Sequence, residues 1–407
     1  MSSNQKPENS VAGNHGEGVR SDCLVNLELK TSGGIQLKLN SKVHTLYGDQ
    51  IAQLCEEILQ CFEIKNAILQ IDDSGALPFV IAARLEAAIK KQIRTESEFL
   101  LPILEQNKYY TPRDKDRVSR LYLPGNNPKL LINAGIYGSN GIILDLEDSV
   151  TPEKKNEARF LVRNALRSVD FYGVERMVRI NQLPGGLDDL DFCVNHYVNV
   201  ILIPKCEKPE QVVATDKKIS EILKKENDCI HLMPILESAL GIVNAYAIAT
   251  ASRNVVAVAI GLEDYTADLG VQRTNEGSES LYARYALVNA AVAAGVQPID
   301  SVFSDIADME ALLRQARLSR SMGFTGMGCI HPRQIPFIHE GFMPTVEEIN
   351  KAQRIVMAFN KAQEEGKAVV TVYSKMIDPP VVKRAFRTIE AAGKAGLLTD
   401  KPMEKNG

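Results

Sequence analysis

Near the start of the chain, apolar and polar residues alternate in two short runs, CLVNLELK from Cys23 and GIQLKLN from Gly34. A period of two marks strands with one buried face, and the TSGG between the runs predicts a hairpin. QIAQLCEEILQCF then repeats its apolar residues at helical spacing. AILQIDDSGALPFVIAARLEAAIKK reads as a strand, a turn at DDSG and a helix. Residues 21–91 therefore predict a small α/β domain, long enough to fold alone. The polar, aperiodic residues 1–20 predict a disordered tail, and residues 92–116, running into the charged TPRDKDR, a linker.

From Arg117 onward the pattern changes. Eight strand-like runs follow: RLYLPG, GIILDLED, ERMVRIN, NVILIPK, HLMPILES, VVAVAIGLED, VQPIDSVFSD and GCIHPRQ. Helical stretches lie between them, among them PEKKNEARFLVRNAL, PEQVVATDKKISEILKK, SESLYARYALVNAAVAA and DMEALLRQARLSRSM. Near-continuous apolar strands alternating with helices imply a parallel sheet covered on both faces. Eight such units over 117–344 fit a (β/α)8 TIM barrel. A doubly wound open sheet fits less well, because no GxGxxG follows the first strand. Two further helices, 346–364 and 379–396, flank the loop VYSKMIDPP within a C-terminal extension, 345–407.

Composition removes several classes of function. With 47 Lys and Arg against 51 Asp and Glu, the net charge is −4, which gives no basic footprint for nucleic acid. No run of about 18 apolar residues predicts a membrane span, and the polar start lacks a signal-like apolar segment. The seven cysteines include no CxxC pair, so free thiols in a reducing, cytoplasmic setting are expected.

The chemistry gathers at the predicted strand ends. Barrels carry functional groups where strands run into βα loops. Strand 2 ends in Asp145, Glu147 and Asp148, strand 3 in Arg179 and Asn181, and strand 4 in Lys205. Strand 5 ends in Glu237, strand 6 in Glu263 and Asp264, with Asp268 one turn later, and strand 7 in Asp300. Convergent carboxylates suit a hard cation such as Mg2+, and histidine is too scarce at this rim for zinc. Glu237 and Asp264, from neighbouring strands, are the natural metal pair. Arg179 is placed to grip a substrate carboxylate with both arms of its fork. A plainer reading pairs Arg179 with the strand 2 acids, and makes Asp145, Glu147 and Asp148 supporting or capping residues. Thr151 before Pro152 reads as a helix N-cap. Gly125–Asn126–Asn127 opens a helix after strand 1, a backbone-rich turn suited to anion contacts.

The motifs LYLPGNNPKLL, GIILDLEDSVTPEKKNEAR, VRIN, LIPK, PILESALGIVNA, GLEDYTADLGVQRT and GCIHPRQI occur in order, and the stretch 117–396 resembles the citrate lyase β-subunit family of the HpcH/HpaI aldolase group. The resemblance implies a Mg2+-dependent barrel that cleaves a 3-hydroxyacyl thioester by a retro-Claisen type reaction. Citryl thioester would yield oxaloacetate and acetyl thioester; citramalyl-CoA or malyl-CoA are the alternatives. It implies Glu237 and Asp264 as metal ligands, and Arg179, with Asn181 and Lys205, as substrate-binding residues. Asp145, Glu147 and Asp148 would form the shell around them. SKMIDPP resembles the segment that lends an aspartate, here Asp378, to a neighbouring subunit, which implies a homotrimer or higher oligomer. SDCLVNLEL and IDDSGALPFVIAARLEAAI are similar to the citrate lyase acyl carrier, or γ subunit. That implies a covalent CoA-like (phosphoribosyl-dephospho-CoA) arm, for which Ser21 is the candidate, and a citrate lyase α-like transferase as partner. The pattern departs from the carrier family here, since Arg20 stands where the arm-bearing serine is expected. A catalytically inactive carrier or assembly protein is the reading from another class.

Overall fold

The computed structural model describes residues 9–274, 276–364, 370–372 and 375–398. The first eight residues of the expected tail lie outside this range, as do Tyr373 and Ser374 of the loop VYSKMIDPP. The chain divides into two compact units, Met1–Ile338 and His339–Gly407.

The small domain opens the first unit. Its strands are β1 (Ser10–Gly13), β2 (Cys23–Leu29), β3 (Ile35–Ser41) and β4 (Ala67–Asp73), with helices α1 (His44–Cys61) and α2 (Pro78–Gln92). The alternating apolar positions Cys23, Val25 and Leu27 of β2, and Ala67, Leu69 and Ile71 of β4, are fully buried. Two expectations need correction. The sheet order is β1-β2-β4-β3, so β2 and β3 are not a hairpin; β4 lies between them, antiparallel to β2 and parallel to β3. Burying the apolar faces beside one central strand outweighs the short TSGG connection. Nor is the whole of 1–20 a loose tail: Ser10–Gly13 pairs antiparallel with β2, and Ser10 Oγ donates to Ala88 O at 2.8 Å. Four residues are too few to display a period.

α2 is buried along its whole middle, from Phe79 to Ile89, charged residues included. Helices apolar on every side are covered on every side. The sheet covers one face of α2 and the barrel helix Lys155–Ser168 covers the other. Arg163 and Glu86 pair across this contact at 2.5 Å, both fully buried. Asn164 Nδ2 donates to Phe79 O, Lys154 Nζ to Gly13 O, and Gly13 N to Glu157 Oε2.

The remainder of the first unit is a closed barrel of eight parallel strands: β5 (Ser119–Pro124), β6 (Gly141–Asp145), β7 (Glu175–Arg179), β8 (Val200–Ile203), β9 (His231–Leu236), β10 (Ala257–Ile260), β11 (Gln297–Asp300) and β12 (Gly326–Cys329). β12 pairs with β5 to close it. Ile143, Met177, Leu202, Met233, Ile235 and Ala259 pack its interior. Near its lower end, Arg117 and Glu175 form a fully buried two-bond ion pair. The crossovers Lys155–Ser168, Pro209–Leu223, Leu281–Ala294 and Met309–Met322 are full helices. The turn after β5 is followed by the four-residue helix Pro128–Leu131 and a short 3-10 turn, Ala134–Tyr137. Thr151 occupies its expected cap position but makes no side-chain capping bond.

In the second unit, helices Val346–Glu364 and Pro379–Lys394 bury Ala352, Ile355, Val382 and Ala385 together with Ile377. No described helix is long and apolar enough to cross a membrane.

Candidate active site

Strand register builds the centre of the rim. Asp145 and Arg179 are paired positions on β6 and β7, so their side chains leave neighbouring strands on the same face. Arg179 Nε and Nη2 close on Asp145 Oδ1 and Oδ2 at 2.6 and 2.7 Å. Its Nη1 meets Glu147 Oε2 at 2.9 Å and stands 3.8 Å from Asp148. The three clustered acids therefore share one guanidinium, which also lies 5.3 Å from the centre of the Tyr122 ring. Burial alone would raise Asp145, but Arg179, with Ser149, holds its carboxyl below the usual value. Glu147 goes the other way, because burial raises it more than Arg179 lowers it.

Glu237 follows β9 and is 5% exposed. Its Oε1 accepts the Lys205 backbone N–H at 2.6 Å, and Lys205 adopts the left-handed φ of 46° in doing so. Burial pushes the Glu237 carboxyl up to about 8, against the pull of that N–H, and Asp264 and Glu147 add to the rise. Gly261, at the start of helix Leu262–Asp268, leaves room for this side chain: a Cβ there would lie 2.4 Å from Glu237 Oε2 and 2.9 Å from its Cβ. The same helix presents Asp264 in its first turn. Lys205 Nζ lies 3.7 Å from Glu147 and 3.9 Å from Asp264, bridging the two groups of acids.

A cavity of about 510 Å3 opens between them. Asp145, Asp148, Arg179, Glu237, Glu263 and Asp264 line its mouth, and Tyr122, Ile235, Ala259 and Arg120 its walls and floor. Among the described residues, no three His, Cys, Asp or Glu are gathered to hold a metal. The donor set is instead the carboxylate pair Glu237 and Asp264. Among the described residues, Glu237 Oε2 has no hydrogen-bond partner, and no His or Cys joins the pair. Two hard oxygen donors with open space beside them fit Mg2+, which keeps waters and takes the rest of its shell from substrate.

Several expected residues fall elsewhere. Asn181 is turned to Lys155 Nζ at 2.5 Å and Asp189 at 2.8 Å and is not among the residues that line the cavity. Lys205 is not part of the lining either, and its ammonium serves the acids. Asp300 is locked by Arg284 and Ser319, so strand 7 delivers a neutralised acid. Glu263 pairs with Arg273, and Asp268 accepts the Ala239 N–H. Asp378 belongs to the second unit, where its Oδ1 caps helix Pro379–Lys394 by accepting from Val381 N. Ser21 has a left-handed φ of 59°, and its N–H donates to Ser74 O. Beside it, Asn14, Arg20, Asp22, Asn126 and Lys129 line a cleft of about 350 Å3. Asp22 is held there by both arms of Arg84. Arg120 and Tyr122 escaped the sequence reading. They sit inside strand β5, not at its end, and only the odd charge in an apolar run marks Arg120.

A closed (β/α)8 barrel with an acid-rich cavity at the C-terminal ends of its strands is the class that fold and site define. The chain belongs to the HpcH/HpaI aldolase/citrate lyase family, whose model matches residues 118–332. Residues 9–92 match a second family, described as the malonate decarboxylase delta subunit (MdcD). The citrate lyase subunit beta of Leuconostoc mesenteroides subsp. cremoris is 38% identical over 287 residues, 69% of this chain and 95% of that protein. The human mitochondrial citramalyl-CoA lyase is 36% identical over 286 residues, 67% of this chain and 84% of that one. The CitE protein of Mycobacterium tuberculosis, solved with magnesium, acetoacetate and coenzyme A, is 28% identical with a TM-score of 0.59, covering 69% of this chain and all of that one.

Proposed function

We propose that this chain is a Mg2+-dependent carbon–carbon lyase that cleaves citryl thioester into oxaloacetate and acetyl thioester. One observation carries the reading: Glu237 is kept buried, with a free Oε2, beside Asp264 at the mouth of the barrel cavity. Glu237 and Asp264 would hold the Mg2+. When bound, the ion lowers the pKa of the substrate hydroxyl and neutralises its neighbouring carboxylate. Asp145 fixes Arg179, and Arg179 orients that carboxylate with Nη1, the nitrogen now shared with Glu147. Once the hydroxyl proton has passed to solvent water, the bond between C2 and C3 breaks. C3 becomes the ketone of the oxo acid, and the thioester enolate takes a proton at C2. Asp378 of a neighbouring subunit in a trimer is the proposed donor of that proton. Ser21, beside the cleft lined by Arg20 and Lys129, is the proposed root of a CoA-like arm. Citramalyl-CoA is the second reading, favoured by the human relative.

Glu237→Gln tests the core of this reading. Mg2+-dependent release of oxaloacetate from citryl-CoA should fall about a hundredfold or more, with thermal stability retained. Unchanged turnover removes Glu237 from the reaction.

A further inference from the structure

Six arginines of the described chain are almost wholly buried: Arg84, Arg117, Arg120, Arg163, Arg176 and Arg284. Four of them bind a carboxylate, Arg84 with Asp22, Arg117 with Glu175, Arg163 with Glu86 and Arg284 with Asp300. Arg176 donates to the carbonyls of Leu166 and Tyr109. Arg120 alone has no oxygen partner. Its Nε is unpaired, and its Nη1 donates to the Met233 sulfur at 3.0 Å. A buried guanidinium without a counter-charge is costly to keep, yet this one lines the floor of the active-site cavity.

We propose that Arg120 binds the second carboxylate of a dicarboxylic oxo-acid moiety, and so selects citryl over citramalyl or malyl thioesters. The inference rests on the lyase reading above and names its substrate class.

The local architecture leaves room for the Arg120 stem on the β6 side and for the Tyr122 ring on the β12 side. Gly141 pairs with Arg120 on β6, and a Cβ there would lie 3.3 Å from Arg120 Cγ and 2.5 Å from the Met177 methyl. Gly328 pairs with Arg120 on β12, and a Cβ there would lie 3.2 Å from the Tyr122 ring. Two glycines thus flank the strand that carries the arginine. Arg120 and Tyr122 are two residues apart on β5 and share a face. Pro124, opposite Asp145 at the rim, is four residues above Arg120, about 13 Å of strand. Arg120 lines the same cavity as Arg179 and Glu237, so an acid gripped at the rim would extend its far end toward the guanidinium. Burial draws Arg120 down to about 10, which leaves it cationic at neutral pH. A planar fork matches a carboxylate with two bonds. Pyruvate ends in a methyl group and glyoxylate in a hydrogen, and either would leave the charge unpaired.

Calorimetric binding of oxaloacetate and pyruvate, with Mg2+ and full-length protein, decides the matter. Wild type should prefer oxaloacetate by about tenfold or more, the worth of a charge-assisted bond. Arg120→Met, which fills the space without the charge, should abolish the preference, and Arg120→Lys should keep part of it. Equal affinities in the wild type overturn the proposal even if neither variant folds, and so does a preference that survives in folded Arg120→Met. Turnover of citryl-CoA and citramalyl-CoA separates this failure from that of the lyase reading. A wild type that cleaves neither thioester sinks the lyase reading, while the binding ratio still judges Arg120. A wild type that cleaves both equally, with Arg120→Met changing neither rate, sinks the Arg120 proposal alone.

Discussion

At the residue scale, the molecule sorts its buried charges by partner. The clustered acids after β6 are tolerable because Arg179 bridges Asp145 and Glu147. That pairing was legible as an alternative in the sequence, since an arginine ends the next strand. Arg179 ends β7, whereas Asn181, two positions on, turns to the helix side, where Lys155 and Asp189 hold it. Arg120 could not be found from strand ends at all. His196 shows how burial becomes a pH response. It is 4% exposed beside Arg167, and burial, with Arg167 and Arg163, pulls it down to about 3. Folded His196 is therefore neutral, whereas the unfolded chain takes a proton below about 6.5. Its contribution to stability is complete above pH 6.5 and is lost as pH falls toward 3. At pH 5 the loss amounts to about 2 kcal/mol. Melting curves between pH 7 and 5 should show the drop, and His196→Gln should reduce it, leaving the part owed to His231 and His339, which burial also lowers.

At the element scale, period and length made the barrel readable, because eight short, mostly apolar strands recur and four of the crossovers are full helices, Lys155–Ser168, Pro209–Leu223, Leu281–Ala294 and Met309–Met322. Pairing order in the small sheet was not readable. A strand pattern states which face is buried, but leaves open which neighbour lies beside it, and β4 took the place between β2 and β3. Asp378 raises the question of what an element can lend. It caps its own helix within the C-terminal unit, and its proposed use is in another subunit. Mixed oligomers of an Asp378→Ala chain and an Arg179→Ala chain should recover activity, because some sites combine an intact rim with an intact donor. No recovery in oligomers verified to be mixed removes Asp378 from the proposed role.

At the scale of the whole molecule, two families meet in one chain, and the contact between them is built like a core. α2 is shared between the small sheet and the barrel helix Lys155–Ser168, and the Arg163–Glu86 pair is sealed inside. An arm on Ser21 would add the mass of a phosphoribosyl-dephospho-CoA group to chain purified from its native host, and intact-protein mass spectrometry should find it there. An unmodified chain, made where the attachment enzymes are present, would leave free acyl-CoA as the substrate. The sealed contact also sets the logistics of any such arm. A carrier that swings delivers cargo by travelling, whereas one welded to its catalyst delivers only by the length of its tether. Local cargo concentration then follows from tether length and the fixed root alone, and whatever loads the arm must come to the barrel.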